Sequence, residues 1–141
     1  MVTEDSFVLH IPESIYTEMV AHVIAGYPNE ACGALGSQGS QVVKHYPTAN
    51  AAEHPDDFSI ISEADIVRIY NDVNDYDGDT IYYHSHPQSE AYPSSRDIDW
   101  AKRSGYIYLI FSHQYYPEKP SARVFAISRD GMVTEGKVEL I

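Results

Sequence analysis

The sequence predicts an α/β layered fold in which a central mixed β-sheet is flanked by about three helices. Two observations predict it: short β-branched and aromatic segments recur along the chain, and amphipathic segments with helix-start signals lie between them. The chain has 141 residues, of which 43% are hydrophobic, so it is long enough for one core. We therefore expect a single domain over residues 1–141, and we find no internal repeat or low-complexity segment.

The three predicted helices cover residues 12–25, 63–75 and 95–104. Pro12 suits a first helical turn, Gly26 ends the first apolar pattern, and Ser62 is placed to cap the second helix. The third helix opens at Ser94–Asp97 and ends before Gly105.

The predicted strands are short runs that favour extended structure, bounded by turn residues. They are Phe7–His10, Cys32–Gly36, Gln41–His45, Asp57–Ile60, Thr80–His86, Ile107–Phe111, Ala122–Ser128 and Met132–Val138.

The segment HSHPQSEAYPSSRD, residues 84–97, carries the chemistry. Side chains two residues apart on a strand share a face, so His84 and His86 point together while Ser85 points away. Pro87 ends regular pairing, and a polar loop leads to Asp97 in the first turn of the third helix. A strand end and a helix start can thus bring two imidazoles and a carboxylate together.

Three ligands of this kind are typical of a catalytic zinc ion, because they leave a fourth position open for water. Structural zinc sites are usually closed by four ligands, mostly cysteines, and this chain has only Cys32. Each residue also has an ordinary interpretation. Asp97 could simply answer Ser94 in a capping box, and the histidines could be structural. Cys32 is expected to be a small packed residue.

A zinc hydrolase also needs a base that accepts and delivers the proton of water. The predicted base is Glu30, which lies between the first helix and a small-residue strand, where glycine and alanine permit close backbone approach. On local sequence alone, a solvated acid after a helix is the favoured interpretation of Glu30.

These positions resemble the signature of the JAMM (MPN+) metalloprotease family: a glutamate, then far downstream His-x-His-Pro, six residues, Ser, two residues and Asp. The resemblance runs over nearly the whole chain and implies a JAMM/MPN-type domain with cytidine-deaminase-like layering. It implies that His84, His86 and Asp97 bind one Zn²⁺ per chain. Glu30 would then be the general acid/base, and Ser94 would stabilise the oxyanion.

The short chain looks most like the bacterial single-domain branch of that family. Members of this branch act on ubiquitin-like sulfur-carrier proteins that end in a diglycine, removing cysteine or extra C-terminal residues. We therefore expect a peptidase or isopeptidase with such a carrier as its partner. Two other classes stay open: an oxidoreductase, since two histidines and a carboxylate also hold iron in oxygenases, and a non-catalytic scaffold that binds a ubiquitin-like protein.

Composition excludes one class of partner. The formal net charge of −12 argues against nucleic acid, whose phosphates require a basic surface. No apolar run is long enough to span a membrane, and the N-terminal segment lacks a signal core, so we expect a cytoplasmic protein. A single cysteine agrees with that compartment. The strong acidity is also consistent with a salt-adapted host.

Overall fold

The structure is a computed structural model that describes residues 7–101, 107–115 and 117–141. Its helices and strands follow in the order β1 (Val8–Ile11), α1 (Glu13–Gly26), β2 (Cys32–Gln38), β3 (Gln41–Thr48), α2 (Glu63–Asp75), β4 (Asp79–His86), α3 (Ser95–Ala101), β5 (Ile107–Ser112), β6 (Ser121–Ile127), β7 (Val133–Glu135) and β8 (Lys137–Leu140). No helix in these ranges has the length and apolar character needed to cross a membrane.

The strands form one mixed sheet in the order β7-β6-β5-β4-β2-β3-β1-β8. β4 pairs antiparallel with β2 on one side and parallel with β5 on the other, so the sheet changes from antiparallel to parallel pairing at β4. Parallel neighbours need a long crossover between them, and here that crossover contains α3. The predicted α/β fold, with a central mixed sheet and three helices, is confirmed.

Alternating side chains bury the two faces of the sheet against different helices. Tyr83 on β4 packs in the same core as Met19 and Val23 of α1. Its neighbour Tyr82 packs instead with Ile69 and Val73 of α2. Because the side-chain period of a strand is two, His84 and His86 continue the face of Tyr82, and Ser85 continues the face of Tyr83.

The predicted strand Asp57–Ile60 is wrong, because this segment is a loop without ladder pairing. The backbone N–H groups of Asp57 and Phe58 both donate to the carbonyl of His54, which makes a turn where the strand would begin. The N–H of Ile60 donates to the Asn50 side chain. Short apolar runs are ambiguous in sequence. Here the backbone N–H groups bond to a nearby carbonyl and to a side chain, and not to a neighbouring strand.

The predicted strand Met132–Val138 is also wrong as one element. It divides at Gly136 into β7 and β8, which lie at opposite ends of the strand order. The division needs glycine, since an added Cβ at Gly136 would lie 2.6 Å from the ring of Phe7. Because only Gly136 separates β7 from β8, the two edge strands are close in space and the sheet is strongly curved.

The predicted helices agree with the structure at their starts to within one residue. α2 has the predicted bounds, and the Ser62 hydroxyl accepts a hydrogen bond from the Asp65 N–H as a helix cap. α1 runs from Glu13 through Gly26, so both of its ends lie one residue later than predicted, and Pro12 is its N-cap. α3 begins at Ser95; the predicted end at Ser104 and Gly105 lies outside the described residues. The remaining predicted strands differ from the observed ones only at their ends.

Candidate metal centre and active site

His84, His86 and Asp97 meet where β4 ends and α3 begins. Nε2 of His84 lies 3.1 Å from Nε2 of His86 and 3.2 Å from Oδ2 of Asp97. The third side of this triangle, from Nε2 of His86 to Oδ2 of Asp97, is 3.3 Å. Both histidines are buried and Asp97 is half-buried. Among the described residues, this is the one group of at least three acidic, histidine or cysteine side chains placed to hold a metal ion.

The triangle has the dimensions that a tetrahedral zinc ion requires. Zinc bonds to imidazole nitrogen and carboxylate oxygen are about 2.0–2.2 Å long, so two ligand atoms of a tetrahedral site are separated by roughly 3.3–3.5 Å. The observed separations of 3.1–3.3 Å lie at or just below this range. The residues therefore fit a zinc ion in donor type, number and spacing.

The orientation of His86 is fixed by the loop that follows it. Nδ1 of His86 lies 2.8 Å from the carbonyl oxygen of Glu90, which can only accept a hydrogen bond. Nδ1 must therefore carry the proton, and the lone pair of the neutral ring lies on Nε2, toward Asp97. A second partner of this kind is the usual way in which proteins orient a metal-binding histidine.

Asp97 combines the two roles that the sequence left open. Its backbone N–H donates to the Ser94 hydroxyl over 3.1 Å, and its Oδ2 accepts from the Ser94 N–H over 2.9 Å. This reciprocal pair is a capping box that begins α3. The same Oδ2 atom faces both histidines, so capping holds the carboxylate in place for a metal.

Electrostatics within the cluster favours the charged carboxylate. Burial by itself would raise the pKa of Asp97, but the hydrogen bonds with His84 and His86 and the Ser94 N–H outweigh it and hold that pKa well below its usual range. Burial likewise opposes protonation of His86, but the protonated ring can donate from Nε2 to the Asp97 carboxylate, and this leaves the pKa of His86 raised. The Asp97 carboxylate is thus ionised and faces both imidazoles, as a ligand for a cation requires.

Glu30 lies beside this cluster, in the loop between α1 and β2. It lines the same cavity as His86, Ser94 and Asp97. Burial raises the pKa of the Glu30 carboxyl, while the two histidines and a hydrogen bond with Ser59 act in the opposite direction and do not cancel it. A carboxyl group whose pKa is raised toward neutrality is suited to exchange protons with a substrate or water.

The Ser94 hydroxyl opens into the same cavity as Glu30. Its capping bond uses an oxygen lone pair, because Asp97 N–H is the donor. The hydroxyl hydrogen is therefore not used by the cap and can donate to a developing negative charge.

A second, more apolar cavity adjoins the cluster on the α2 side of the sheet. His84 and Asp97 form one wall, and Cys32, Ile60, Ile66 and Tyr82 contribute to the rest. Cys32 is buried, as expected, with its sulfur 3.6 Å from the Thr48 hydroxyl. Arg96 lies over the ring of Phe58, 4.3 Å from its centroid, between the two cavities.

Residues that the sequence analysis did not identify hold Glu30 in place. The Ser85 hydroxyl accepts a hydrogen bond from the Ala31 N–H over 2.8 Å, and the Ser85 N–H donates to the Ala31 carbonyl. Asn50 donates to the Glu30 carbonyl over 2.9 Å. A serine that alternates with two histidines on a buried strand is a signal that could have indicated Ser85, whereas Asn50 has no local sequence signal.

Three other histidines lie outside this candidate ligand cluster. His22 and His45 both hydrogen-bond to the Tyr83 hydroxyl, at 2.6 and 2.7 Å. His113 is buried, and its Nδ1 lies 2.8 Å from the Pro117 carbonyl. These hydrogen bonds give the three histidines structural roles in the fold.

Comparison with known proteins gives the same family as the motif. The model of the prokaryotic homologs of the JAB domain matches residues 12–127. The chain is similar to the CysO-cysteine peptidase of Mycobacterium tuberculosis, with 33% identity over 96% of this chain and 92% of that protein.

Two solved structures show a similar fold. Protein DSY2949 from Desulfitobacterium hafniense superposes with a TM-score of 0.80 and 30% identity, over 94% of this chain and 92% of that one. The structure described as JAMM, a metalloprotease-like zinc site in the proteasome and signalosome, has a TM-score of 0.54 and 16% identity, over 95% and 98%. The family match over most of the chain, together with the 33% identical relative, shows that the chain belongs to the prokaryotic JAB (JAMM/MPN) family.

Proposed function

We propose that the protein is a zinc-dependent peptidase. It would hydrolyse the bond that follows the C-terminal diglycine of a ubiquitin-like sulfur-carrier protein, releasing cysteine or a C-terminal extension. The observation that carries the proposal is a half-buried glutamate whose cavity is also lined by Ser94 and by two residues of the three-ligand cluster. The similarity to a protein named CysO-cysteine peptidase supports the peptide bond to cysteine as substrate.

His84, His86 and Asp97 would hold the ion, one per chain, and the donor set fits zinc as argued above. Bound there, Zn²⁺ would supply a Lewis acid and would lower the pKa of water to about 7. The protein contributes the fixed triangle of donors, which needs little rearrangement to accept the ion.

Glu30 would act as the general base and then as the general acid. It takes a proton from water as the oxygen attacks the peptide carbonyl, and it returns that proton to the departing amine. Its raised pKa, due to burial, suits both steps. The carboxylic acid product keeps the oxygen of water, and the amine keeps the proton, so the two steps balance.

Ser94 would donate its hydroxyl hydrogen to the carbonyl oxygen as negative charge develops there. A donor of this kind typically contributes about 10²–10³ in rate, because it binds charge present only in the transition state. The capping bond with Asp97 holds the serine at the start of α3, so the donor is already placed before substrate arrives.

The substrate tail would lie between the loop segments Ala49–Asp57 and Gln88–Pro93. A diglycine has no side chains and fits a narrow slot in which bulkier residues would clash. The Phe58 and Arg96 pair narrows the space between the two cavities near the metal ligands. This arrangement supports selection of a slender tail over an arbitrary peptide.

The test offers the zinc-loaded protein several diglycine-ending carriers, each extended by cysteine or a short peptide, and follows cleavage by intact mass. We expect cleavage after the second glycine. The variant Glu30→Gln should lose at least about 100-fold in kcat, the usual contribution of a general base, while it keeps its zinc and its fold.

Glu63→Gln is the matched control, because Glu63 is exposed at the start of α2 and lines neither cavity. It should retain full activity. Full activity in Glu30→Gln would remove Glu30 from the mechanism, and equal cleavage of unrelated peptides would count against carrier specificity. Iron in place of zinc, with oxygen consumption, would favour the oxidoreductase, and a wild-type protein that binds carriers without cleaving them would favour the scaffold.

A further inference from the structure

The side chain of Asn50 uses its whole hydrogen-bonding capacity. Its Nδ2 donates to the carbonyl oxygens of Glu30 and Phe58, each over 2.9 Å. Its Oδ1 accepts from the N–H groups of Ala52 and Ile60, over 3.0 and 3.1 Å. An asparagine amide has two donors and two acceptor lone pairs, so all four are satisfied here.

These bonds join two loops that lack regular structure of their own. One loop contains Glu30, whose N–H donates to the Pro55 carbonyl over 2.7 Å and whose carbonyl is bound by Asn50. The other loop contains Ser59, which lines the same cavity as Glu30. Ser59 lies between Phe58 and Ile60, both of which are bound to Asn50. A single amide therefore fixes the backbone of Glu30 and the backbone on both sides of Ser59.

We propose that Asn50 is a positioning residue for the hydrolytic step, and this inference depends on the role proposed above for Glu30. Asn50 is not one of the described residues that line the two cavities. It therefore acts through Glu30 and through the loop that contains Ser59. Its amide holds the Glu30 carboxyl at the distance from the substrate carbonyl that proton transfer requires. The chemistry is sensitive to such placement, since an error of about 1 Å can lower a rate by roughly 100-fold.

The decisive variant is Asn50→Asp. It keeps the size and both acceptor positions of the side chain, but it removes the two donors and places an oxygen against the carbonyls of Glu30 and Phe58. We expect kcat to fall by about 10- to 100-fold with KM little changed and zinc content unchanged. Asn71→Asp, on the exposed face of α2, introduces the same charge and should keep wild-type kcat.

A double-variant cycle separates positioning from a general loss of structure. If Asn50 acts through Glu30, then Asn50→Asp should add nothing to the loss already caused by Glu30→Gln. On a Ser94→Ala background, the two losses should multiply instead. An equal loss from Asn50→Asp with and without Glu30 would overturn the inference, as would wild-type kcat in Asn50→Asp.

Amide hydrogen exchange on the metal-free protein tests the positioning without any substrate. Asn50→Ala should speed exchange of the Ala52 and Ile60 amides by at least about tenfold, because it removes the side-chain oxygen that accepts their hydrogen bonds. Exchange of the Glu30 amide should also become faster. The Ser85 amide on β4 should keep its protection. If the wild-type protein cleaved no carrier, the proposed function would fail, while unchanged exchange in Asn50→Ala would overturn the positioning inference by itself.

Discussion

At the scale of single residues, the site depends on one oxygen atom. Oδ2 of Asp97 accepts a hydrogen bond from Ser94 and faces Nε2 of His84 and His86. The spacing of the histidines and the aspartate was sufficient to predict that they meet. Glu30 could be identified only from the family motif, since a glutamate after a helix carries no local signal. Asn50 could not be predicted, because its partners come together only in the tertiary structure.

Asp97→Asn should abolish zinc binding while it keeps the cap. The amide oxygen can still accept the Ser94 N–H, but it lacks the charge that makes a carboxylate a zinc ligand. We expect metal analysis after dialysis to find about one zinc per wild-type chain and little in the variant. Zinc at 100 times its dissociation constant should raise the free energy of unfolding of the wild type by about 2.7 kcal/mol, and that of the variant hardly at all.

Asp57→Asn is the control for this experiment. Asp57 lines the same cavity as Asp97 but belongs to no ligand cluster among the described residues. It should bind zinc as the wild type does. Stoichiometric zinc in Asp97→Asn would exclude the aspartate from the coordination sphere.

At the scale of elements, β4 serves the site from both of its faces. Its histidines face α2, while Ser85, which is fully buried, holds the Ala31 N–H on the opposite face. The bounds of α2 could be predicted because its cap and apolar pattern are local. The loop Asp57–Ile60 could not, since its conformation follows from bonds to Asn50 and to the His54 carbonyl. The division at Gly136 depends on contact with Phe7, which is distant in sequence.

Ser85→Ala should weaken the link between β4 and the Glu30 loop. It leaves the Ala31 N–H buried without its side-chain acceptor, which costs about 1–3 kcal/mol. Denaturant unfolding of the metal-free protein should show this loss. Hydrolysis should also slow, because Glu30 precedes Ala31 directly.

Ser37→Ala is a suitable comparison at the other end of the same strand pair. The Ser37 hydroxyl donates to the Asp79 carbonyl over a longer distance, 3.4 Å, so its removal should have a smaller effect. If Ser37→Ala lowered the free energy of unfolding as much as Ser85→Ala does, the effect would be a general one of removing a buried hydroxyl and would not indicate a specific link to the Glu30 loop.

At the scale of the whole molecule, a partly buried polar network joins α1, β3 and β4. The Tyr83 hydroxyl contacts His22 of α1 and His45 of β3, and His45 contacts Glu18 of α1 over 3.1 Å. Burial lowers the pKa of His22 despite its bond with the Thr48 carbonyl, and His45 lowers it further. Burial also lowers the pKa of His45, although Glu18 opposes this effect.

These shifts predict that acid destabilises the fold. Below a pH of about 6.5 the unfolded chain binds protons at both histidines more readily than the folded chain does. The free energy of unfolding should therefore fall as the pH decreases from 7 to 5. In denaturant unfolding of the metal-free protein, the free energy of unfolding should depend less steeply on pH in the double variant His22→Gln/His45→Gln than in the wild type.

His54→Gln provides the control, since His54 is exposed in a loop. The free energy of unfolding of this variant should depend on pH as that of the wild type does. A double variant with the slope of the wild type would show that this network does not determine the acid sensitivity.

The parallel pairing of β4 with β5 constrains how such an enzyme can evolve. The segment that returns the chain to the start of β5 is obligatory for the topology, and it is also the segment that carries Ser94 and Asp97. Deleting it would destroy the sheet along with the chemistry. Descendants that abandon hydrolysis are therefore expected to retain this connection and to exchange its polar residues one at a time, so that loss of activity leaves the architecture intact.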